Sequence, residues 1–466
     1  MKKLLSLLLL LLAIASFSQD ISGPWHGQLV LPGGKLRLSI NLTKIDNGYT
    51  ATMDSPDQNA IGIPVKMVLF EENILAFAIP DASIDYRGTF DGQGFKGTFA
   101  QNGHQLPLDL GREEIKVQKA KRPQEPAKPY PYYEEEVTFT NPKDGITLAG
   151  TLTLPKQGGA NYPAVVLITG SGAQDRNEEI FGHKPFLVLA DYLTRNGIAV
   201  LRYDDRGTAA SKGQFVGATT QNLATDTQAA FEYLKTRKEI NTKKIGLIGH
   251  SEGGTIAAMV ASYQPESVAF IVMLAGAAIP GDELMVLQNY LMGKADGMPE
   301  EELTKLGAIN RKVYTIIKEP VSKEEMKTKL RNVFLTDLKP LFVSKGIPEA
   351  EVSQYIDLQI GELTSAWYVQ FIKSQPGQYL EKVKCPILAL NGTNDVQVAA
   401  KANLDAVKRA GEKSGNKKVI TKEMPGLNHL FQTSTTGSLS EYGQIEETFA
   451  PAALTEILNW IKVQVK

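Results

Sequence analysis

The sequence predicts an α/β chain: a doubly wound, mostly parallel sheet with a helical cap insertion, preceded by a small all-β N-terminal domain. Three observations carry this reading. Up to about residue 113, single apolar residues alternate with polar ones between turn signals. From Tyr132 onward, apolar runs of strand length alternate with helical patterns. Between Pro280 and Lys384 that alternation stops, and a stretch rich in Glu, Lys, Leu and Met with helical spacing takes over.

In chain order, Met1-Lys2-Lys3, the apolar run from Leu4 to Ile14 and the small residues of Ala15-Ser16-Phe17-Ser18 read as a signal peptide over residues 1–18. The run is too short to span a bilayer, and no Cys follows it for lipid attachment. The expectation is an exported chain, periplasmic or secreted, that starts near Gln19 and has no stable membrane insertion. Residues 19–113 form the all-β domain. Leu36, Leu38, Ile40 and Leu42 alternate with polar neighbours, and Pro32-Gly33-Gly34, Asp46-Asn47-Gly48, Asp91-Gly92 and Asn102-Gly103 supply turns. A small barrel or sandwich is expected, with Trp25 and His26 as packing residues. Residues 114–131 carry Lys116, Lys119, Lys121, Arg122, Pro123, Pro126, Pro129 and Pro131, and read as a semi-extended, solvated linker.

Residues 132–466 form the catalytic domain. A hairpin is expected near 136–140 and 146–154, then strands at 164–168, 199–203, 245–248, 268–274, 387–390 and 418–422. Helices are expected at 185–196, 222–238, 255–264 and 451–465. Continuous apolar strands separated by helices mean a sheet covered on both faces. The stretch at about 281–384 falls after a sheet strand, above the strand ends where ligands bind, and reads as a cap.

Composition sets limits. Hydrophobic residues make up 42% and charged ones 22%, which suits a globular chain with a sizeable core. Net charge is −1; loss of Lys2 and Lys3 leaves 48 basic residues against 51 acidic, near −3. With no basic patch, nucleic acid is excluded as the expected partner. Cys385 is the one cysteine, so no intramolecular disulfide forms, and its apolar setting before Pro386 marks it as core.

The chemistry centres on Ile245-Gly246-Leu247-Ile248-Gly249-His250-Ser251-Glu252-Gly253-Gly254. An apolar run ending in Gly-x-Ser-x-Gly before a helical pattern is the sequence form of a nucleophile elbow. A serine hydroxyl needs a base, and the base an orienting acid. Of the histidines, His26 and His104 lie in the β domain and His183 precedes the elbow. His250 adjoins Ser251, so its side chain is expected to point elsewhere. Only His429 follows the elbow, as the order Ser, acid, His requires. The acid is expected after the strand at 387–390, where Asp395 sits; Asp405, inside the next helix, is the fallback. The oxyanion donors are expected to be the N–H groups of Glu252 and Ser171, with Gly172 the alternative to Ser171. Such chemistry needs no metal and no cofactor. Asp175 and Arg176, just beyond that loop, are read as shaping it.

The region from about Tyr130 to Lys466 resembles the α/β-hydrolase superfamily, and within it the EstD-type bacterial esterases, near the serine-aminopeptidase and dipeptidyl-peptidase-like hydrolases. The resemblance rests on Gly170-Ser171-Gly172-Ala173-Gln174-Asp175-Arg176-Asn177-Glu178, Leu201-Arg202-Tyr203-Asp204-Asp205-Arg206-Gly207, the elbow, Asn391-Gly392-Thr393-Asn394-Asp395 and Pro425-Gly426-Leu427-Asn428-His429. It implies Ser251, Asp395 and His429 as nucleophile, acid and base, and a small-molecule carboxylic ester as substrate. Thr169 departs from the pattern, since many lipases and esterases have histidine there. Trp367 and Tyr368, at the end of the cap, are candidates for an acyl pocket. Two rival readings stand beside this one: a peptidase or amidase on the same triad, and a binding protein whose β domain recognises a surface ligand.

Overall fold

The alternation in the first part of the chain produces nine antiparallel strands: β1 (Gly23–Leu31), β2 (Gly34–Ile45), β3 (Gly48–Ser55), β4 (Ala60–Val65), β5 (Met67–Glu71), β6 (Ile74–Ile79), β7 (Ile84–Phe90), β8 (Phe95–Gln101) and β9 (His104–Pro107). The computed structural model describes residues 20–466 apart from 32–33, 59, 102–103, 116–120, 157–158 and 345–346. The expected signal peptide, turn residues 32–33 and 102–103, and Lys116 and Lys119 lie outside the described residues. The chain divides into two compact units, Met1–Gln118 and Lys119–Lys466.

In the first unit, β1 to β4 and β5 to β9 form two meandering sheets. The stretch after β9 stitches them together: Gly111 pairs with His26 of β1, and Leu110 with Phe95 of β8. The inward residues form one core around Trp25, whose ring centroid lies 4.7 Å from that of Phe95. The Arg112 guanidinium covers the Trp25 ring at 3.7 Å, and His26 Nδ1 bonds the Ser39 hydroxyl at 2.8 Å. Both residues are packing elements of the sandwich.

The second unit is built on β10 (Tyr133–Asn141), β11 (Ile146–Leu154), β12 (Tyr162–Ile168), β13 (Ala199–Tyr203), β14 (Ile240–His250), β15 (Ile271–Leu274), β16 (Ile387–Gly392) and β17 (Val419–Met424). Their order in the sheet is β10-β11-β13-β12-β14-β15-β16-β17. β11 is antiparallel to both its neighbours, and the pairs from β13 to β17 are parallel. β12 shows why the strands are uniformly apolar. Ala164, Val166 and Ile168 enter one core, while Val165 and Leu167 enter the other, on the opposite face.

Helices cover both faces. α1 (Pro185–Arg195) and the closing helix lie over one; α2 (Thr220–Thr236), α3 (Glu252–Tyr263) and a helix after β16 lie over the other. Between β15 and β16 come only helices: α4 (Gly281–Ala295), α5 (Glu300–Lys318), α6 (Lys323–Val333), α7 (Lys339–Val343), α8 (Glu349–Leu363), α9 (Ala366–Ile372) and α10 (Gly377–Leu380). α11 (Ala400–Ser414), α12 (Leu439–Tyr442) and α13 (Pro451–Gln464) complete the chain. The cap has its own core of Val313, Ile317, Leu330, Ile356 and their neighbours. Glu300, Glu301 and Glu302 form the first turn of α5, where carboxylates favour the helix dipole. Cys385 is buried, which pushes its thiol up to about 12 and leaves it a core residue.

The segment expected as a solvated linker over 114–131 needs correcting in its second half. Arg122 donates from Nε to the Gly182 carbonyl, from Nη1 to that of Ile445, and from Nη2 to those of Phe181 and Gly443, at 2.7–3.2 Å. Gln124 donates to the Phe449 carbonyl and accepts from the N–H groups of Thr448 and Phe449. One side chain thus satisfies four backbone oxygens of two irregular loops, which charge and proline content do not reveal. Arg122→Ala is expected to destabilise this unit by about 2 kcal/mol. Urea unfolding of the full chain tests this, and a midpoint equal to that of the parent would refute it.

Candidate active site

β14 is flanked in register by β12 and β15, with Gly249 opposite Ile168 on one side and Met273 on the other. The chain leaves the strand at Ser251 with φ 53° and ψ −120°, and enters α3 at Glu252. A Cβ on Gly249 would lie 1.9 Å from the Gly253 carbonyl oxygen, and one on Gly253 would lie 2.2 Å from that of Ile168. Strand end and helix start therefore approach too closely for any residue but glycine at these two positions. Positive φ at a serine costs on the order of 1–3 kcal/mol, and packing on both sides holds it there. The Ser251 N–H donates to the Leu274 carbonyl at 2.8 Å, which fixes the turn to the next strand.

The loop after β17 carries His429, and the loop after β16 carries Asp395. His429 Nδ1 donates to Asp395 Oδ2 at 2.7 Å. The same oxygen accepts from Asn391 Nδ2 at 3.1 Å, and Asp395 Oδ1 accepts from the N–H groups of Gln397 and Val398 at 2.8 Å. Asp395 is 5% exposed, so these donors replace the water its charge requires. His429 is held from behind by Asn428, whose Oδ1 accepts from the N–H groups of Leu430 and Gln432. Asp405 is exposed and paired with Lys401 on α11, away from this constellation.

The loop 169–178 lies against the elbow, suspended from three carboxylates. Asp205 accepts from the Thr169 hydroxyl and the Gln174 N–H, both at 2.9 Å. Asp204 accepts from the Arg176 N–H, Nε and Nη2, while Arg176 Nη1 reaches Thr151 and Glu136. Arg176 and Asp175 thus shape the loop. Glu178 Oε1 accepts from the Gly170 N–H at 2.7 Å. Ser171, not Gly172, lines the catalytic cavity beside Gly170, Ser251, Glu252 and His429. The Glu252 N–H opens the first turn of α3, where no intrahelical acceptor exists.

His250 departs from expectation. Its side chain turns under the loop instead of away from the site, and its ring lies 4.7 Å from that of His429. Nδ1 contacts Glu178 Oε1 and Nε2 contacts the His429 carbonyl, each at 2.9 Å. A carbonyl only accepts, so Nε2 carries a proton. Burial pushes this imidazole toward neutrality, but the Glu178 charge and hydrogen bond more than offset it, so the His250 pKa is raised. Glu178 and His250 thereby connect Gly170 of the loop with the backbone of His429. The spacing of residues 178 and 250 gives no sign of this contact.

The cap reaches the elbow through Trp367. Its Nε1 donates to both Glu252 oxygens, at 2.9 and 3.1 Å, and Thr220 donates to the same carboxylate at 2.5 Å. Burial raises the Glu252 pKa, against hydrogen bonds from Thr220, Trp367 and Ser171. Trp367 and Tyr368 both line the catalytic cavity, whose volume is about 230 Å³. Among the described residues no cluster of three or more His, Cys, Asp or Glu could hold a metal ion. No described helix is long and apolar enough to cross a membrane.

With this geometry in place, comparison with known proteins is informative. The family model of the X-Pro dipeptidyl-peptidases (S15 family) matches residues 144–423, more than half of the chain. The chain belongs to the S15 family. It is accordingly a serine hydrolase of the α/β-hydrolase fold, of the EstD type. This S15 chain is 26% identical to Esterase EstD of Thermotoga maritima over 340 residues, 72% of the chain and 68% of EstD. It is 27% identical to YfhR of Escherichia coli O157:H7 over 219 residues, 41% of the chain and 71% of YfhR. Among solved structures, Est1E of Butyrivibrio proteoclasticus bound to ferulic acid aligns with 71% of the chain and 99% of its own length, at 16% identity and a TM-score of 0.43.

Burial pushes Asp205 up to about 8, while the Gln174 and Thr169 hydrogen bonds pull it down. An unfolded carboxyl ionises near pH 4, or about 3.9. Between these values the folded chain holds the extra proton, so this group's contribution to stability falls as pH rises through that window. Asp205→Asn cannot ionise, and its thermal midpoint is expected to gain on the parent's by about 2 °C or more from pH 5 to pH 8. Melts at both pH values check this; identical pH dependence in the two proteins would contradict it.

Proposed function

We propose that the chain hydrolyses carboxylic esters of small-molecule substrates, in an exported form that begins near Gln19. The observation that carries the hydrolytic reading is that Ser251, at the head of α3, opens into the same cavity as His429, whose Nδ1 is 2.7 Å from Asp395. In this reading Ser251 Oγ attacks the carbonyl carbon while His429 Nε2 takes its proton. Asp395 keeps Nδ1 protonated and stabilises the imidazolium. The oxyanion forms between the N–H groups of Glu252 and Ser171, at the positive end of α3. His429 returns the proton to the leaving alkoxide, and a water then repeats the sequence on the acyl-enzyme. The Esterase EstD name of a relative supports an ester substrate.

Ser251→Ala is expected to abolish turnover of p-nitrophenyl acetate and labelling by a fluorophosphonate probe, with an unchanged melt. Asp395→Asn is expected to lower kcat by about 10⁴. Full turnover by Ser251→Ala would end the proposal. Intact-mass measurement of the chain recovered from the periplasm or medium tests export, since an unprocessed Met1 would contradict it.

A peptidase or amidase reading has one observation in its favour. Glu362 lines the catalytic cavity, and no ion pair holds its carboxylate among the described residues. A free substrate amine would find a partner there. Matched aminoacyl ester and aminoacyl anilide substrates decide between the two. A preference for the anilide that disappears in Glu362→Gln would favour the amidase.

A further inference from the structure

The catalytic cavity, at about 230 Å³, has a larger neighbour. A second cavity of about 510 Å³ lies inside the cap, between α4, α5, the helical turn at Phe334–Leu338 and α8. Met285, Glu362 and Tyr368 line both cavities, so the two adjoin. We propose that the cap interior is the binding site for an extended, uncharged apolar chain of the ester substrate, about eight carbons or longer. This rests on the ester reading above and names the substrate class for it.

Packing makes the first argument. The cavity wall includes Leu303, Ile309, Val313, Phe334, Leu338 and Leu363, all buried and most of them members of the cap's own core. Helical bundles normally close such a core to near-crystalline density, with few voids larger than a water molecule. A hollow of this size is ligand space, and it falls in the range of about 300–1,000 Å³ seen for small-molecule sites.

Polarity makes the second argument. The Tyr314 and Tyr368 hydroxyls bond each other at 3.3 Å, and Asn289 Nδ2 donates to Tyr314 at 3.1 Å. These three groups bond one another, so an apolar chain can lie beside them, while Asn310, Tyr355 and Gln359 add polar atoms elsewhere on the wall. The charged side chains on the wall, Glu302 and Glu362, are both acidic and disfavour an anionic chain end. Geometry supplies the length. On this proposal a short chain on a carbonyl at Ser251 stays within the smaller cavity, and a longer one extends past Met285 and Tyr368, which line both. Beyond the cap core, Tyr290, Leu303 and Tyr314 also line a surface recess of about 660 Å³, which gives a still longer chain an outlet.

The test is a pair of chain-length series on the full chain. One places the chain on the acyl side, as p-nitrophenyl acetate, butanoate, octanoate and decanoate; the other places it on the alcohol side, as ethyl, butyl and octyl acetate. In one series kcat/KM is expected to rise by up to about fourfold per methylene past four carbons, and at least tenfold in total from butanoate to octanoate or from butyl to octyl. The series that rises identifies the side that enters the cap. Flat or falling values in both, with acetate turned over, overturn the cap proposal and leave the ester reading standing. Val313→Phe, which fills the cavity, is expected to reduce the long-to-short ratio of whichever series rises at least tenfold, and Val313→Leu by less. An unchanged ratio in a folded Val313→Phe also overturns it.

Binding to Ser251→Ala, measured by calorimetry, separates the two readings further. Octyl acetate or ethyl octanoate is expected to bind at least tenfold tighter than ethyl acetate. If no ester is turned over but this preference holds, the ester reading fails and the cap site stands. If neither long-chain ester binds tighter than ethyl acetate, the cap site falls.

Discussion

The arrangement of the site depends on one close approach, that of β14 to α3 across Gly249 and Gly253. Nothing local favours positive φ at Ser251; the flanking strands and the helix impose it together. Once it is imposed, the directions of the Ser251 side chain, the Glu252 N–H and the Glu252 carboxylate follow from a single turn. The hydroxyl faces the cavity, the N–H stands at the positive end of a helix, and the carboxylate is carried to the seam with the cap. A flatter turn would lose all three at once.

Around that turn the chain uses buried acidic side chains as fixed acceptors for backbone it cannot place in a sheet. Asp204, Asp205 and Glu178 hold the loop after β12, and Asp395 gathers two N–H groups as well as the histidine. Each is an expensive group to bury, and each is tolerated because donors of the chain are aimed at it. The result is a loop as well determined as a strand. The cap is built on the opposite principle: its helices meet in a core that leaves room, and one polar tie to the sheet domain is the Trp367 indole on Glu252.

Much of this was legible in the sequence. Ser251, Asp395 and His429 could be picked out as candidates because Ser251 and Asp395 follow apolar strand-length runs and His429 is the histidine that comes after the elbow, as the order of the three requires. The inner strands of the parallel sheet could be named from their apolar runs, since both their faces are buried, unlike the edge strand β17. His250 could not be read correctly. Adjacency to Ser251 says where its backbone is, but Glu178 lies in a different loop, and only the folded sheet brings them together. Arg122 looked like one cation among several in a proline-rich stretch, because composition does not reveal which carbonyls will need a donor. Helical periodicity in the cap shows which faces turn inward, yet it is blind to how completely they fill the space between them.

The clasp made by Arg122 and Gln124 bears on how such chains are assembled in evolution. These two residues stand upstream of the first strand of the hydrolase sheet, yet they complete the loops around Phe181, Gly443 and Phe449. A recombination event that exchanged the β sandwich for another module with a breakpoint just before Tyr132 would deliver a hydrolase with open loop ends. Inheritance of the catalytic unit as a working module therefore requires the break to fall ahead of Arg122, inside what composition alone would mark as spacer.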